Sequence, residues 1–421
     1  MPRRPCSSGS SARTDRVGAQ GSRSVSERSQ TERAVVHEDG WLASRWIRLS
    51  GPGRIGGVDL ARGLAVLGMF AAHLLWITGS FDWTRPDTWI TVVEGRSSIL
   101  FATLAGVSIG LMTGGRMPLP AARMTTARGR LAVRAGLLWV LGILLIATGV
   151  PVYVILPAYA LMFLLALPLT SLPAPVLLPL AGALAVVMPF VQVLLDALPL
   201  WTSPAGPAVS TALGWHYPFT TWIAFVVAGL GVARSGVTRL RVQVWLVVAG
   251  ALLAAAAYGA DAATGARPEA EAASFLGALW TARPHSTGLL EVVGSGGFAL
   301  AVLGVCLLLC RTVVRWVVLP LRAVGAMPLS AYTLQLVVWA AIATATLDRV
   351  GDLAGFRELQ PFWPLTIATV VLCTAWALLI GRGPLETALD AASRFAVPGD
   401  RRSGGGADER GRTSPADRLV E

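Results

Sequence analysis

The strongest constraint on this chain is a series of apolar blocks, each close to the ~20 residues a helix needs to cross the hydrocarbon of a bilayer. They fall near 58–80, 97–114, 131–149, 152–170, 176–199, 218–234, 241–259, 288–310, 322–346 and 363–381. In lipid every backbone N–H and C=O must be satisfied within the protein, so a spanning segment is a helix or a strand of a closed barrel. The blocks lack the apolar–polar alternation of barrel strands. The chain is therefore predicted to be all-α, a polytopic integral membrane helix bundle of about ten transmembrane helices. A hydrophobic fraction of 54% and a charged fraction of 14% exclude a soluble domain of 421 residues.

The formal charge of +11 invites a nucleic-acid reading, but its distribution argues against one. Arginine concentrates before the first block, at 116–134, at 234–241, at 311–322 and after 381. With ten spans all of these lie on one side. The opposite loops carry the acids: Asp82, Asp87 and Glu94; Asp196; Asp261, Glu269 and Glu271; Asp348, Asp352 and Glu358. The positive-inside rule then places both termini in the cytoplasm of a multi-pass plasma-membrane protein. All 35 basic residues are arginine, which excludes a lysine nucleophile or Schiff base. The expected partners are the lipid bilayer and small molecules, with no nucleic acid; the sequence does not set the oligomeric state.

Residues 1–53 read as a disordered basic tail, with Trp41-Leu-Ala-Ser-Arg-Trp-Ile-Arg48 as a candidate interfacial helix. Residues 54–382 form the membrane domain and 383–421 a second cytoplasmic tail. The first block begins only near residue 58, without a small-residue cleavage pattern after it, so it is expected to act as its own anchor. The four cysteines, Cys6, Cys306, Cys310 and Cys373, support neither a disulfide framework nor a zinc site, and no metal is expected.

The chemistry-bearing residues cluster by depth. His73 is the one histidine of four that falls inside an apolar block. Arg62 lies eleven residues earlier, which on a helix is about three turns with ~20° of residual rotation and roughly 16 Å of rise. Arg62 and His73 therefore share a face, with Asp59 one turn before Arg62. Ionisable groups inside a span usually face a polar cavity and serve a function. Arginine suits a phosphate-bearing donor through its planar fork; the plainer reading of Arg62 is a snorkelling arginine paired with Asp59. At the entrance of the second block, Arg96, Ser97 and Ser98 reach a depth comparable with His73 and suit an acceptor's hydroxyls or an oxyanion. His285 and Glu291 open the eighth block. Glu291 is the candidate orienting carboxylate for His73, as in a catalytic triad. Ser330, Tyr332 and Gln335 read as interhelical hydrogen-bonding groups.

The run Arg54-Ile-Gly-Gly-Val-Asp-Leu-Ala-Arg-Gly-Leu-Ala-Val-Leu-Gly-Met-Phe-Ala-Ala-His73 resembles the opening of the heparan-alpha-glucosaminide N-acetyltransferase catalytic-domain family in its bacterial branch. Gly95-Arg-Ser-Ser-Ile-Leu-Phe-Ala-Thr-Leu-Ala-Gly106 resembles the same branch. Pro218-Phe-Thr-Thr-Trp222 and Pro328-Leu-Ser-Ala-Tyr-Thr-Leu-Gln335 resemble the YeiB-like membrane family of unknown function. In the wider membrane acyltransferase group an arginine and a histidine separated by ten residues on the first span carry acyl transfer, and Arg62 and His73 match that spacing. The resemblance implies acetyl-CoA or another acyl-CoA as cytoplasmic donor, and a glycan or small-molecule acceptor reached from the outer side.

On that basis His73 and Glu291 are the expected catalytic residues. Arg62 and Asp59 are placed on the donor side, and Arg96, Ser97, Ser98 and His285 on the acceptor side. Position 335 is glutamine where many relatives are expected to carry histidine, so no catalytic role is carried over to it. The rival reading is a transporter or flippase using His73, Glu291 and Arg62 as a coupling path; the lack of a recognisable internal repeat counts against it.

Overall fold

The computed structural model describes residues 54–79, 81–82, 84–264 and 274–398. The candidate interfacial helix at 41–48, Cys6, Glu269 and Glu271 lie outside the described residues, as does 399–421. Among the described residues there is no strand, and the helices follow the apolar blocks. They are α1 (Gly56–Leu74), α2 (Arg96–Met112), α3 (Ala121–Ile146), α4 (Leu156–Ala166), α5 (Ala174–Asp196), α6 (Gly206–Leu213), α7 (Phe219–Ser235) and α8 (Leu240–Thr264). Then come α9 (Phe275–Leu279), α10 (Leu289–Leu309), α11 (Val314–Val317), α12 (Leu319–Ala326), α13 (Pro328–Thr346), α14 (Leu353–Glu358), α15 (Phe362–Leu379) and α16 (Pro384–Ala396).

Proline marks many of the helix starts. Pro120, Pro173, Pro218 and Pro361 are the N-cap residues of α3, α5, α7 and α15. Pro157, Pro328 and Pro384 fall in the first turns of α4, α13 and α16. Their missing N–H would have no intrahelical partner there, and the fixed φ suits helix entry. Pro328 also divides the predicted ninth block into α12 and α13.

Eight of the helical segments among the described residues are long and apolar enough to cross a membrane. The other two predicted spans are the shorter α4 and α7. With eleven residues α4 rises only ~17 Å. The chain reaches it through a non-helical, partly buried run, 150–155. The fold is an all-α polytopic bundle, with eight full-length candidates and two shorter apolar helices among the described residues.

Burial sorts the helices into two shells. The apolar windows of α1 and of the segment ending in α2 are each 67% buried, against 17% for α15. Nearly all of α7 is enclosed. α1 packs against α2, α10, α12, α13 and α15; α2 packs against α7 and α10; α8 lies along α10. On α3, α5, α8 and α15, large apolar side chains such as Leu144, Leu194, Leu252 and Val371 face outward. Apolar surface on this scale is the lipid-facing belt of a multi-pass membrane protein.

Close approach of α2 and α7 depends on glycine. A Cβ on Gly106 would stand 1.9 Å from the Val226 carbonyl oxygen, and one on Gly229 would stand 1.9 Å from that of Thr103. Small residues of this kind let two backbones meet inside a bilayer.

Candidate functional site

α1 connects two polar regions at opposite ends. At its N-terminal end Asp59 sits in the first turn, where the helix dipole favours a carboxylate. Arg62 pairs with it, Nη1 to Oδ1 at 3.2 Å. The pairing foreseen from the sequence is present, but it takes only one arm of the guanidinium. Nη2 donates to Ser108 Oγ of α2 at 2.6 Å. Arg62 also lines a cavity of about 310 Å³, together with Phe101, Ser108, Arg134, Tyr159, Arg382 and Glu386. A second cavity of about 650 Å³ is lined by Arg123, Arg130, Arg134, Asp390 and Arg394. Arg134 and Met112 line both.

The wall shared by these cavities is α16, whose segment the sequence reading leaves in a C-terminal tail. Its Asp390 pairs with Arg134, with Arg394 at 2.8 Å and with Arg382 at 3.1 Å. Its Glu386 accepts from the Leu329 N–H at 2.8 Å, the Ser330 N–H at 3.2 Å and the Ser330 hydroxyl at 2.5 Å, capping the start of α13.

Near the other end of α1, the His73 imidazole faces the Gln335 amide of α13. Neither His73 Nδ1 nor either amide atom of Gln335 completes a hydrogen bond, although all three are buried. Buried polar atoms are normally paired, and an unpaired group calls for an explanation. Tyr332 Oη and Trp339 Nε1, on the same stripe of α13, are buried and unpaired as well. Arg357 of α14 closes the end of α1. Its Nε donates to the His73 carbonyl at 3.1 Å and its Nη2 to the Ala72 carbonyl at 3.3 Å. A cation there meets both the orphaned carbonyls and the negative end of the dipole.

His285 lies within electrostatic reach of His73, and its ring centroid is 4.9 Å from that of His216. Three of the chain's four histidines therefore converge. Tyr153 stacks on His216 at 3.6 Å, and Trp222 lies parallel to His285 at 6.4 Å. Tyr153, Trp215, His216 and Tyr217 line a cavity of about 120 Å³. Burial pushes His285 down to about 3, aided by the neighbouring imidazoles, and pushes His216 down to about 4. Both are neutral bases at ordinary pH.

Glu291 holds the His285 loop. Its Oε1 accepts from the His285 N–H at 2.6 Å. Its Oε2 accepts from the Thr287 N–H at 2.6 Å and from the Ser286 hydroxyl at 3.2 Å. His285 and Thr287 carry φ of 63° and 56°, in the left-handed region that side chains other than glycine seldom adopt. The carboxylate foreseen as the partner of His73 thus spends its bonds on the turn carrying His285. Arg96 interacts with Glu291, and its Nε donates to Tyr258 Oη at 2.8 Å. That hydroxyl lies 2.9 Å from Ser295 Oγ. Ser97 packs against Gly68 of α1. Ser98 lies against the Tyr217 hydroxyl, and its carbonyl accepts from Tyr159 Oη at 3.2 Å.

The structure thus gathers His73, His285, Glu291 and Arg96 toward one end and leaves Arg62 and Asp59 near the other. It adds Gln335, which the sequence reads only as an interhelical hydrogen-bonding group, and Arg357, which sequence reasoning passed over. Gln335 carried a signal, as a polar residue in mid-span; Arg357, on the short helix α14 more than 280 residues from His73, carried none.

The fold and these polar ends define a multi-pass membrane protein with buried ionisable groups. Residues 54–260 match the family model of the catalytic region of heparan-alpha-glucosaminide N-acetyltransferase, and residues 233–394 match a protein family of unknown function (DUF418). These are the two families the sequence motifs resemble. No curated protein matches the chain.

Proposed function

We propose that this protein is a membrane acyltransferase that moves an acyl group, most simply acetyl, from acyl-CoA to a hydroxyl or amine of a sugar-like acceptor. The reading rests on one observation: α1 carries Arg62 into an arginine-lined cavity and, three turns on, sets an imidazole with an unpaired buried Nδ1 against an unpaired glutamine amide. The match over residues 54–260 supports the reaction class.

In this mechanism the donor lies with its phosphates at the Arg62 end, on the cytoplasmic side, and its thioester near His73. His73 takes the proton of the acceptor as general base. The freed oxygen or nitrogen attacks the thioester carbonyl, the C–S bond breaks, and the proton passes to the departing thiolate. The Gln335 amide supplies N–H donors for the oxyanion that forms on the way. Arg96, Ser97, Ser98 and His285 hold the acceptor, which enters from the outer side of a bacterial plasma membrane.

The test is acyl transfer from labelled acetyl-CoA in membranes holding wild type or His73→Ala, supplied with cell-envelope glycans. Label entering product with wild type alone supports the assignment. Full transfer by His73→Ala would sink it.

A further inference from the structure

At the arginine-rich end the two cavities meet at Arg134, and a carboxylate already occupies the junction. Asp390 pairs there with Arg134, Arg382 and Arg394. Burial would raise the Asp390 carboxyl, but Arg394, Arg134 and Arg382 outweigh it and hold it below the usual range. Arg123 and Arg130 continue the lining on one side and Arg62 on the other. Six arginines thus line cavities that present only two carboxylates, and Glu386 is already engaged at the start of α13. Several guanidiniums converging on one small anion is the arrangement by which arginine recognises phosphate.

We propose that this cluster is a binding site for an anion bearing two or more phosphoryl groups, and that Asp390 holds the place of one of them until the ligand displaces it. Two sources carry that chemistry: the nucleotide end of a soluble acyl donor and an anionic lipid headgroup. The first source rests on the acyltransferase reading; the site itself does not. α16 is then both wall and competitor. When the ligand takes the guanidiniums from Asp390, α16 keeps weaker ties to α3, such as Arg130 Nε to the Val397 carbonyl at 3.0 Å.

The experiment is calorimetric titration of the full-length protein, in a neutral detergent at low salt, with inorganic pyrophosphate. Arg134→Gln is expected to bind about tenfold more weakly than wild type, and Asp390→Asn several-fold more tightly. Arg123 is exposed and makes no hydrogen bond among the described residues, so Arg123→Gln keeps the fold whatever becomes of Asp390→Asn. It is expected to bind about threefold more weakly. Equal affinity in wild type, Arg123→Gln and Arg134→Gln overturns the site. A folded Asp390→Asn that binds no more tightly overturns the place-holding role. Displacement of pyrophosphate by CoA assigns the site to the donor, and displacement by phosphatidylglycerol vesicles assigns it to lipid. Pyrophosphate binding that CoA does not displace, in a protein that transfers no label, keeps the site and removes the donor reading.

Discussion

At the scale of the residue, the proposed acyl transfer puts its chemistry on His73 and Gln335. The imidazole and the amide face each other, and neither His73 Nδ1 nor the Gln335 amide atoms find another partner in the buried interior. Gln335→Leu removes those atoms while keeping the volume. It is expected to hold or raise the melting temperature while lowering kcat by roughly tenfold or more, with KM little changed, in the labelled-acetyl assay. A melting temperature that falls together with kcat would give the amide a structural role instead. His285 and His216 make a separate prediction. Both are held neutral in the fold, at about 3 and about 4, whereas a free imidazole titrates near ~6.5. Below that pH the unfolded chain binds more protons than the folded one, so stability is full above ~6.5 and is lost as pH falls toward the folded values. The melting temperature should drop between pH 7.5 and pH 5, and His285→Gln should shrink the drop. The groups facing His285 are His216, His73, Tyr217, Trp222 and Glu291.

At the scale of the element, helix identity is written locally and helix pairing is not. Prolines start many of the helices because an entry turn tolerates a missing N–H. The small residues of the stretch ending in Gly106 permit close packing, and which helix they admit is decided by Gly229 on α7, more than 120 residues away. Gly229→Ala should lower the melting temperature in detergent, since its Cβ would strike the backbone of α2. Gly136→Ala, which meets open space on α3, should leave it unchanged or slightly higher. α4 shows the opposite failure of local reading. Its block is apolar over a full span, but Pro157 and Pro168 bracket the α-helix at eleven residues, and hydropathy does not register that limit.

At the scale of the whole molecule, the arginine-rich loops and the acidic loops should face opposite sides of the membrane. With Cys6 removed, Thr125→Cys should react with an impermeant maleimide only after cells are opened, and Asp348→Cys should react in intact cells. Both positions are exposed. Labelling of both from one side would break the orientation on which the proposed donor and acceptor ends depend. The sequence by itself determined the helical class, the membrane setting and the shared face of Arg62 and His73. Each follows from a short-range rule: span length, charge between spans, and the helical repeat. Only the tertiary structure decided the partners. Glu291 spends its oxygens on the His285 turn, Gln335 comes to His73 from α13, and Asp390 reaches the arginine cavities from α16. Those meetings depend on which helices pack together. In lipid that choice rests on shape and a few polar contacts rather than on apolar burial, so hydropathy does not encode it.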